Sequence, residues 1–222
     1  MGLFLKRYDP AQPAVQKLKQ YVRREDFGPV YYLLSRRSHL GLIRSDVNMI
    51  WDLVPHDVSI FNYVLERLPM SVSAVGGRFL NPAKEDVGFI TLSYPGGVVG
   101  NIQASWVDTN KMREVVVVGG RKRIVFDDLN NLEKIKIFEK GIAISGDVDS
   151  FGEFQLLLRD GDILSPKVEA SEPLKNQCAH FLDCVIAGEE PLTGWQAGLD
   201  VVRVIAAIER SLQDAGIPVS VD

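Results

Sequence analysis

Several features that define classes of protein are scarce or absent in this sequence. It has only two cysteines, Cys178 and Cys184, and no C-x-x-C pair, so we expect neither a disulfide framework nor a zinc site. Its 25 Lys and Arg residues are scattered rather than clustered, which argues against a nucleic-acid-binding surface. No apolar run approaches the roughly 18 residues of a membrane span, and the amino terminus has no signal-peptide layout. We therefore expect a cytoplasmic protein that binds neither nucleic acid nor membranes.

What the sequence does contain is typical of a globular protein. Hydrophobic residues make up 46% of the 222 positions and charged residues 24%, with a net charge of −4. A chain of this length can bury a core of its own. The two cysteines lie six residues apart in a predicted helix, about 120° from each other around its axis, so they cannot form a disulfide within it. We expect both to be buried free thiols.

The hydrophobic pattern predicts helices near both ends of the chain and a block of strands between them. The amino-terminal part gives a short strand at 2–8 and then a helix that ends near residue 24. A strand at 30–37 follows, and then a polar loop and a helix that ends before Pro69.

Six β-rich segments come next, separated by turn signals such as Asn81-Pro82 and Pro95-Gly96-Gly97. They lie at 71–80, 86–94, 98–106, 112–118, 122–127 and 132–138. Connections this short make hairpins, so we expect a largely antiparallel sheet. Residues 141–171 suggest an extended excursion with one further strand at 153–159. Helices at 172–187 and 195–214 end the chain, which predicts an α+β fold with residues 1–222 in one domain.

Several of these strands are apolar on both faces, notably at 89–94 and 115–118. Helices can cover one face of such a sheet, whereas the other face needs a partner because large exposed apolar patches usually mark interfaces. We therefore expect a homo-oligomer, a dimer or tetramer, built through the open face of the sheet.

Asp52 and His56 are the strongest candidates for chemistry. If their segment is helical, they lie about 40° from each other on one face. A carboxylate beside an imidazole handles protons well because it fixes the ring and stabilises its charged form. The alternative is structural: Pro55 is tolerated in a first helical turn, so Asp52 could be the N-cap residue and His56 an ordinary histidine. No further residue has the spacing of a third metal ligand, so no metal site is expected.

The segment W-D-L-V-P-H-D at 51–57 resembles the D-x-x-x-H motif of the Gfo/Idh/MocA oxidoreductases. Other segments resemble, in the same order, the carboxy-terminal domain of that family. They lie at 4–10, 27–30 and 94–98 and in the closing helices from 172 to 199. The resemblance covers nearly the whole chain. It implies the fold of that domain, an open and largely antiparallel sheet with helices on one face.

The resemblance implies the substrate-side half of an enzyme that moves a hydride from a sugar, nucleotide-sugar or cyclitol carbon to NAD or NADP. The residues around 51–57 are most similar to the nucleotide-sugar branch. The motif histidine of the family acts as acid/base with help from the aspartate, roles that carry over to His56 and Asp52. Substrate contacts on the preceding strand and loop would be Arg37, Arg44 and Asn48. An arginine fork can bind two oxygens of a phosphate or carboxylate, although either arginine could equally be a solvated surface residue.

The sequence departs from the family pattern in the cofactor half. No G-x-G-x-x-G follows a strand, so the dinucleotide fingerprint is absent, and the Glu-Lys-Pro of the family is absent too. Gly119-Gly120 joins two predicted strands and opens no helix. We expect this chain to bind neither NAD nor NADP, and to be inactive unless a Rossmann domain is supplied from upstream or as a separate subunit. The alternative is a non-catalytic binding or oligomerisation module derived from the family.

Overall fold

The computed structural model describes residues 12–41, 43–144, 156–159, 161–169, 172–192 and 194–222. Its helices are α1 Pro13–Val22, α2 Met49–Leu65, α3 Pro173–Ala187 and α4 Trp195–Gln213. Its strands are β1 Val30–Ser38, β2 Ser71–Gly77, β3 Val87–Ser93, β4 Val99–Ser105, β5 Met112–Gly119, β6 Arg123–Asp127, β7 Ile135–Phe138, β8 Gly141–Ile144, β9 Leu156–Arg159, β10 Ile163–Leu164 and β11 Val219–Ser220. No helix within these ranges is long and apolar enough to cross a membrane.

Nine of the strands form one open sheet in the order β10-β7-β6-β5-β1-β4-β3-β2-β11. Strands β1 and β4 pair in parallel, and every other neighbouring pair in this sheet is antiparallel. The predicted fold class, an α+β protein with a largely antiparallel open sheet, is therefore confirmed. Strands β8 and β9 form a separate antiparallel pair.

Helices α1, α2 and α4 build a layer on one face of the sheet. Alternate residues of each strand point toward this layer, because successive side chains of a strand lie on opposite faces. They form a continuous core with the apolar faces of the helices. Representative strand residues in the core are Leu33, Ile90, Ile102, Val117 and Ile124. On the opposite face the large apolar side chains of Tyr32, Val75, Phe89 and Val99 are exposed, and we call this the open face.

Helix α3 lies apart from this arrangement, because it makes no extensive contact with any described strand or other helix. Its large apolar side chains, including Phe181, Leu182, Val185 and Ile186, are exposed. The backbone N–H of Leu192 donates a hydrogen bond to the side-chain Nε2 atom of His180 at 3.0 Å, which connects α3 to the segment before α4. Cys184 on α3 is buried as expected, whereas Cys178 is exposed, so the expectation of two buried thiols was wrong for Cys178.

The predicted element boundaries agree closely with the structure. The two carboxy-terminal helices begin and end within one residue of their predicted positions. Of the predicted strand at 153–159, residues 156–159 form β9, and the rest lies outside the described residues. The predicted strand at 2–8 and the family-like segment at 4–10 also lie outside them. Strands β8, β10 and β11 were not predicted. Strands β10 and β11 have only two residues each and are defined by their partners rather than by their own sequence pattern.

Candidate active site

The first turns of α2 carry the predicted motif, and Asn48 fixes where this helix begins. The Oδ1 atom of Asn48 accepts a hydrogen bond from the backbone N–H of Trp51 at 3.1 Å, the usual N-cap contact. Its Nδ2 atom donates to Glu85 Oε2, also at 3.1 Å. The alternative that Asp52 is the N-cap residue was therefore wrong. Pro55 lies inside α2, so the rule that confines proline to a first turn misplaced the start of this helix.

Asp52 sits at the edge of the site, with its side chain 22% exposed. Its Oδ2 atom accepts a hydrogen bond from the indole N–H of Trp106 at 3.1 Å. Its Oδ1 atom lies 3.6 Å from the Nη1 atom of Arg44, which also forms a paired contact with Asp46. Trp106 directly follows β4, so this hydrogen bond ties the carboxylate to the sheet. On its other side the carboxylate faces the exposed guanidinium of Arg44. Asp52 is thus partly exposed to solvent and lies beside one cation, Arg44.

A buried ion pair joins β1 to α2. The Nε and Nη2 atoms of Arg37 donate to the two carboxylate oxygens of Asp57, both at 2.7 Å. The side chain of Arg37 is 5% exposed and that of Asp57 is fully buried. Two parallel charge-assisted bonds of this kind fix both distance and orientation. Sequence reasoning placed Arg37 at the site but missed Asp57 as its partner, because the two lie on different elements, twenty residues apart.

His56 precedes Asp57 on α2 and is partly buried. Burial lowers the pKa of His56 to about 3, and the positive charges of Arg37 and Arg113 act in the same direction, while Asp57 opposes them. Arg113 lies opposite Arg37 in the antiparallel register of β1 and β5, which explains why both cations reach the ring. The imidazole is therefore neutral near pH 7, and a neutral imidazole is the form that can accept a proton.

His39, which directly follows β1, is a further site residue that sequence reasoning did not select. Its backbone N–H donates to the carbonyl of Ser105 at 3.1 Å. Burial lowers the pKa of His39, as do Arg113, Lys111 and Arg37 to a smaller extent, while Asp52 raises it. His39 and His56 thus share cationic neighbours. Its position two residues after Arg37 was the one signal available in the sequence.

The Gly119-Gly120 turn does not have the form of a dinucleotide-binding loop. Gly119 and Gly120 lie in the turn between β5 and β6, where the backbone N–H of Gly119 donates to the carbonyl of Lys122 at 2.9 Å. No helix begins there, so the turn cannot offer the helix N-terminus that holds a pyrophosphate. Nor do the parts of the chain that the structure describes contain a cluster of three or more His, Cys, Asp or Glu residues able to hold a metal ion.

Comparison with known proteins gives one family match. A model of the GFO/IDH/MocA C-terminal domain matches residues 15–125, a segment that includes β1, α2 and all of the site residues described above. Among curated proteins, the UDP-N-acetylglucosamine 3-dehydrogenase of Acidithiobacillus ferrooxidans is 26% identical over 199 residues. That match covers 87% of this chain and 59% of the relative.

Solved structures show the same fold. The Acidithiobacillus ferrooxidans enzyme superposes with a TM-score of 0.74 at 22% identity, covering 92% of this chain and 59% of the enzyme. An aldose-aldose oxidoreductase from Caulobacter crescentus gives a TM-score of 0.75 at 17% identity, with 95% and 61% coverage. An Agrobacterium radiobacter oxidoreductase, solved in complex with NAD+, L-tartaric acid and magnesium, gives 0.69 at 16% identity, with 96% and 63% coverage. The chain thus spans about three fifths of the length of the proteins it matches.

Proposed function

Because the chain belongs to the Gfo/Idh/MocA oxidoreductase family, we propose that it is the substrate-side domain of an NAD(P)-dependent enzyme that oxidises a hydroxyl of a sugar, nucleotide-sugar or cyclitol. The observation that carries the proposal is the position of His56 and Asp52 one turn apart on α2, with a lowered pKa that keeps His56 neutral near pH 7. Both lie in the segment that matches the family. The name of the Acidithiobacillus ferrooxidans relative favours a nucleotide-linked sugar as the substrate class.

The proposed role of His56 is to accept the hydroxyl proton of the substrate. Oxidation of an alcohol to a ketone releases that proton as hydride leaves the carbon, so a base must lie within hydrogen-bond reach of the oxygen. Because the pKa of His56 is about 3, the ring would hold the proton briefly and pass it on. Asp52, partly exposed and on the same helical face, would stabilise the charged ring and offer a route to water.

The substrate contacts proposed for the preceding strand and loop differ in how free they are to bind. Arg44 is exposed and lies beside Asp52, so its guanidinium is the best placed of the three to meet a phosphate or carboxylate. Asn48 already caps α2 and contacts Glu85. Arg37 is paired with Asp57 inside the protein. Its contact with substrate stays a prediction, and its burial favours a role in holding other residues in place.

We propose that the cofactor is NAD or NADP and that it is held by a Rossmann domain, in the same chain or in a separate subunit. That cofactor would take the hydride.

We also propose a cytoplasmic location and self-association, as a dimer or tetramer, through the open face. The alternative function is a binding or oligomerisation module without catalysis. It is favoured by one observation, namely that the described residues lack a dinucleotide-binding loop while the open face is apolar.

The test is turnover in a complete enzyme, with a cofactor domain of the family joined ahead of residue 1. Replacing His56 by Asn should lower turnover by roughly 10²- to 10⁴-fold, the usual contribution of a positioned acid/base group. Asp52→Asn should lower it less, because its role is to support the ring. Near-normal turnover of His56→Asn between about pH 6 and pH 9 would show that the proton-transfer role is wrong and that another group is the base. Absence of turnover in the complete enzyme with native His56 would favour the non-catalytic alternative.

Self-association is tested separately, on the chain by itself. Light scattering at micromolar concentration should give a dimer or tetramer. Phe89→Arg places a charge in the middle of the open face and should yield monomers, since burying an unpaired charge in an interface is costly. Leu132→Arg is the matched control, because Leu132 is 93% exposed in the turn before β7. A monomeric native chain would contradict the proposed interface.

A further inference from the structure

We propose that the Arg37–Asp57 ion pair positions His56, so that Arg37 acts through the histidine rather than by touching the substrate. The inference rests on the proposed function, which makes His56 the group that accepts a proton. It gives Arg37 and Asp57 roles that the family resemblance does not assign.

The geometry of the pair ties the helix to the sheet at one point. Arg37 lies near the carboxyl end of β1, and Asp57 lies at the middle of α2. Both oxygens of Asp57 are engaged at 2.7 Å by two nitrogens of one planar guanidinium. A fork of this kind resists both sliding of α2 along β1 and rotation of α2 about its axis. Because His56 is adjacent to Asp57 on the same helix, fixing one residue fixes the direction in which the other projects.

Because this ion pair is buried, breaking it costs much free energy. The pair can therefore fix the position of α2 on β1. The side chains of Arg37 and Asp57 are 5% and 0% exposed. Two buried charges are tolerated only when they are paired with good geometry, so any displacement of α2 from this register leaves a charge unpaired. An apolar contact at the same position would allow small shifts at little cost. We infer that the pair selects one register of α2 against β1.

The charges around His56 come from three elements of the described structure. Arg37 on β1 and Arg113 on β5 favour the neutral ring, and Asp57 on α2 favours the charged ring. Other charged or titratable groups near the site are Asp52, one turn earlier on α2, with Arg44 beside it, and His39, after β1, with Lys111 near it. Arg37 lowers the pKa of His56 more than Asp57 raises it. Replacing both residues by apolar ones should therefore raise that pKa.

The experiment is an NMR measurement of the imidazole nitrogens in the chain by itself. The chain has three histidines, His39, His56 and His180, and His56→Gln identifies the signal of His56 by its disappearance. In the native chain we expect one neutral tautomer of His56 that does not titrate between about pH 8 and pH 5. In Arg37→Met/Asp57→Leu, which removes both charges together and so leaves no unpaired partner, we expect averaged tautomer signals and a titration midpoint shifted upward.

Controls separate positioning from general damage. Arg24→Met/Asp26→Leu removes another Arg–Asp pair with two hydrogen bonds, but an exposed one, and should leave the His56 signals unchanged. Arg37→Lys keeps the charge but not the fork, and it serves as the test if the double variant does not fold. We expect averaged His56 tautomer signals in Arg37→Lys as well. Unchanged His56 signals in the folded double variant, or in Arg37→Lys if the double variant does not fold, would overturn the proposal.

This outcome is independent of turnover. If His56→Asn keeps near-normal turnover in the complete enzyme while the NMR changes occur, the catalytic role fails and the positioning survives as a structural fact. If the NMR signals do not change while His56→Asn loses turnover, the proposed function stands and the positioning role fails.

Discussion

The two faces of the nine-stranded sheet are made by the same strands but differ in what covers them. On β3, Ile90 is fully buried beneath the helices, whereas its neighbour Phe89 on the open face is 48% exposed. The covered face carries the core, the Arg37–Asp57 pair and the candidate active site. The open face carries exposed large apolar residues without an ion pair of comparable burial among the described residues. The difference indicates that this chain folds around one face, and the proposed association would use the other.

The largest expected effect compares these two neighbours directly. Ile90→Ala should lower the free energy of unfolding by about 2–5 kcal/mol, because it leaves a cavity in a packed core. Phe89→Ala should change it by less than about 1 kcal/mol when measured in a monomer, since an exposed side chain loses little burial. Urea unfolding at low protein concentration measures both. Equal costs for the two variants would mean that the open face is covered in solution even in the monomer.

A second effect concerns the acid stability of the covered face. His56 is neutral in the folded protein, with a pKa of about 3, whereas an unfolded histidine titrates near pH 6.5. Protons therefore bind preferentially to the unfolded chain, so this contribution to stability is complete above about pH 6.5 and is lost as the pH falls toward about 3. The slope should approach about 1.4 kcal/mol per pH unit. Urea unfolding between about pH 7 and pH 4 should show a shallower slope for His56→Gln, and parallel slopes would contradict the assignment.

A third effect, of about 1 kcal/mol, tests the N-cap of α2 on the covered face. Asn48→Ala removes the acceptor for the backbone N–H of Trp51 and should lower the free energy of unfolding by that amount. Asn48→Ser keeps an acceptor and should restore most of it. Asp52→Asn should cost less than Asn48→Ala, because Asp52 does not cap the helix. Thermal unfolding of the three variants ranks their losses of stability. A larger loss for Asp52→Asn than for Asn48→Ala would indicate that Asp52, not Asn48, is the N-cap residue.

The smallest expected effect is none. Calorimetric titration of the chain with NAD or NADP should show no binding, because neither the covered nor the open face offers a glycine loop followed by a helix among the described residues. A dissociation constant in the low micromolar range, about −8 kcal/mol, needs a real site. Such a value would show that one of the two faces binds the dinucleotide by a route that its sequence does not reveal.

Much of the fold could be predicted because most of its pairings are local. The β2-β3-β4 and β5-β6-β7 hairpins follow from short connections with turn residues, and their strands lie close to the predicted positions. The parallel pairing of β1 with β4 could not be predicted. It joins segments more than sixty residues apart, and no local pattern specifies that register.

The site was predictable to the same extent. Asp52 and His56 share a helix, so their spacing placed them on one face of α2. The role of Asn48 as the cap was missed because Pro55 suggested a later start of the helix. Asp57 and His39 were missed because their importance depends on contacts between elements, with Arg37 across β1 and α2 and with Arg113 across β1 and β5. Such contacts exist only once the sheet is assembled.

The parallel β1–β4 pair has a consequence for the order of folding. It is the seam between two groups of strands that are each local in sequence, β2-β3-β4 on one side and β5-β6-β7 on the other. Both groups can form early, since closing short loops costs little entropy. Strand β1 pairs with β4 and β5 and therefore needs both groups in place. Since β1 carries Arg37, which we propose to locate α2, we expect the candidate catalytic residues to become ordered last, so that partly folded chains carry no assembled site.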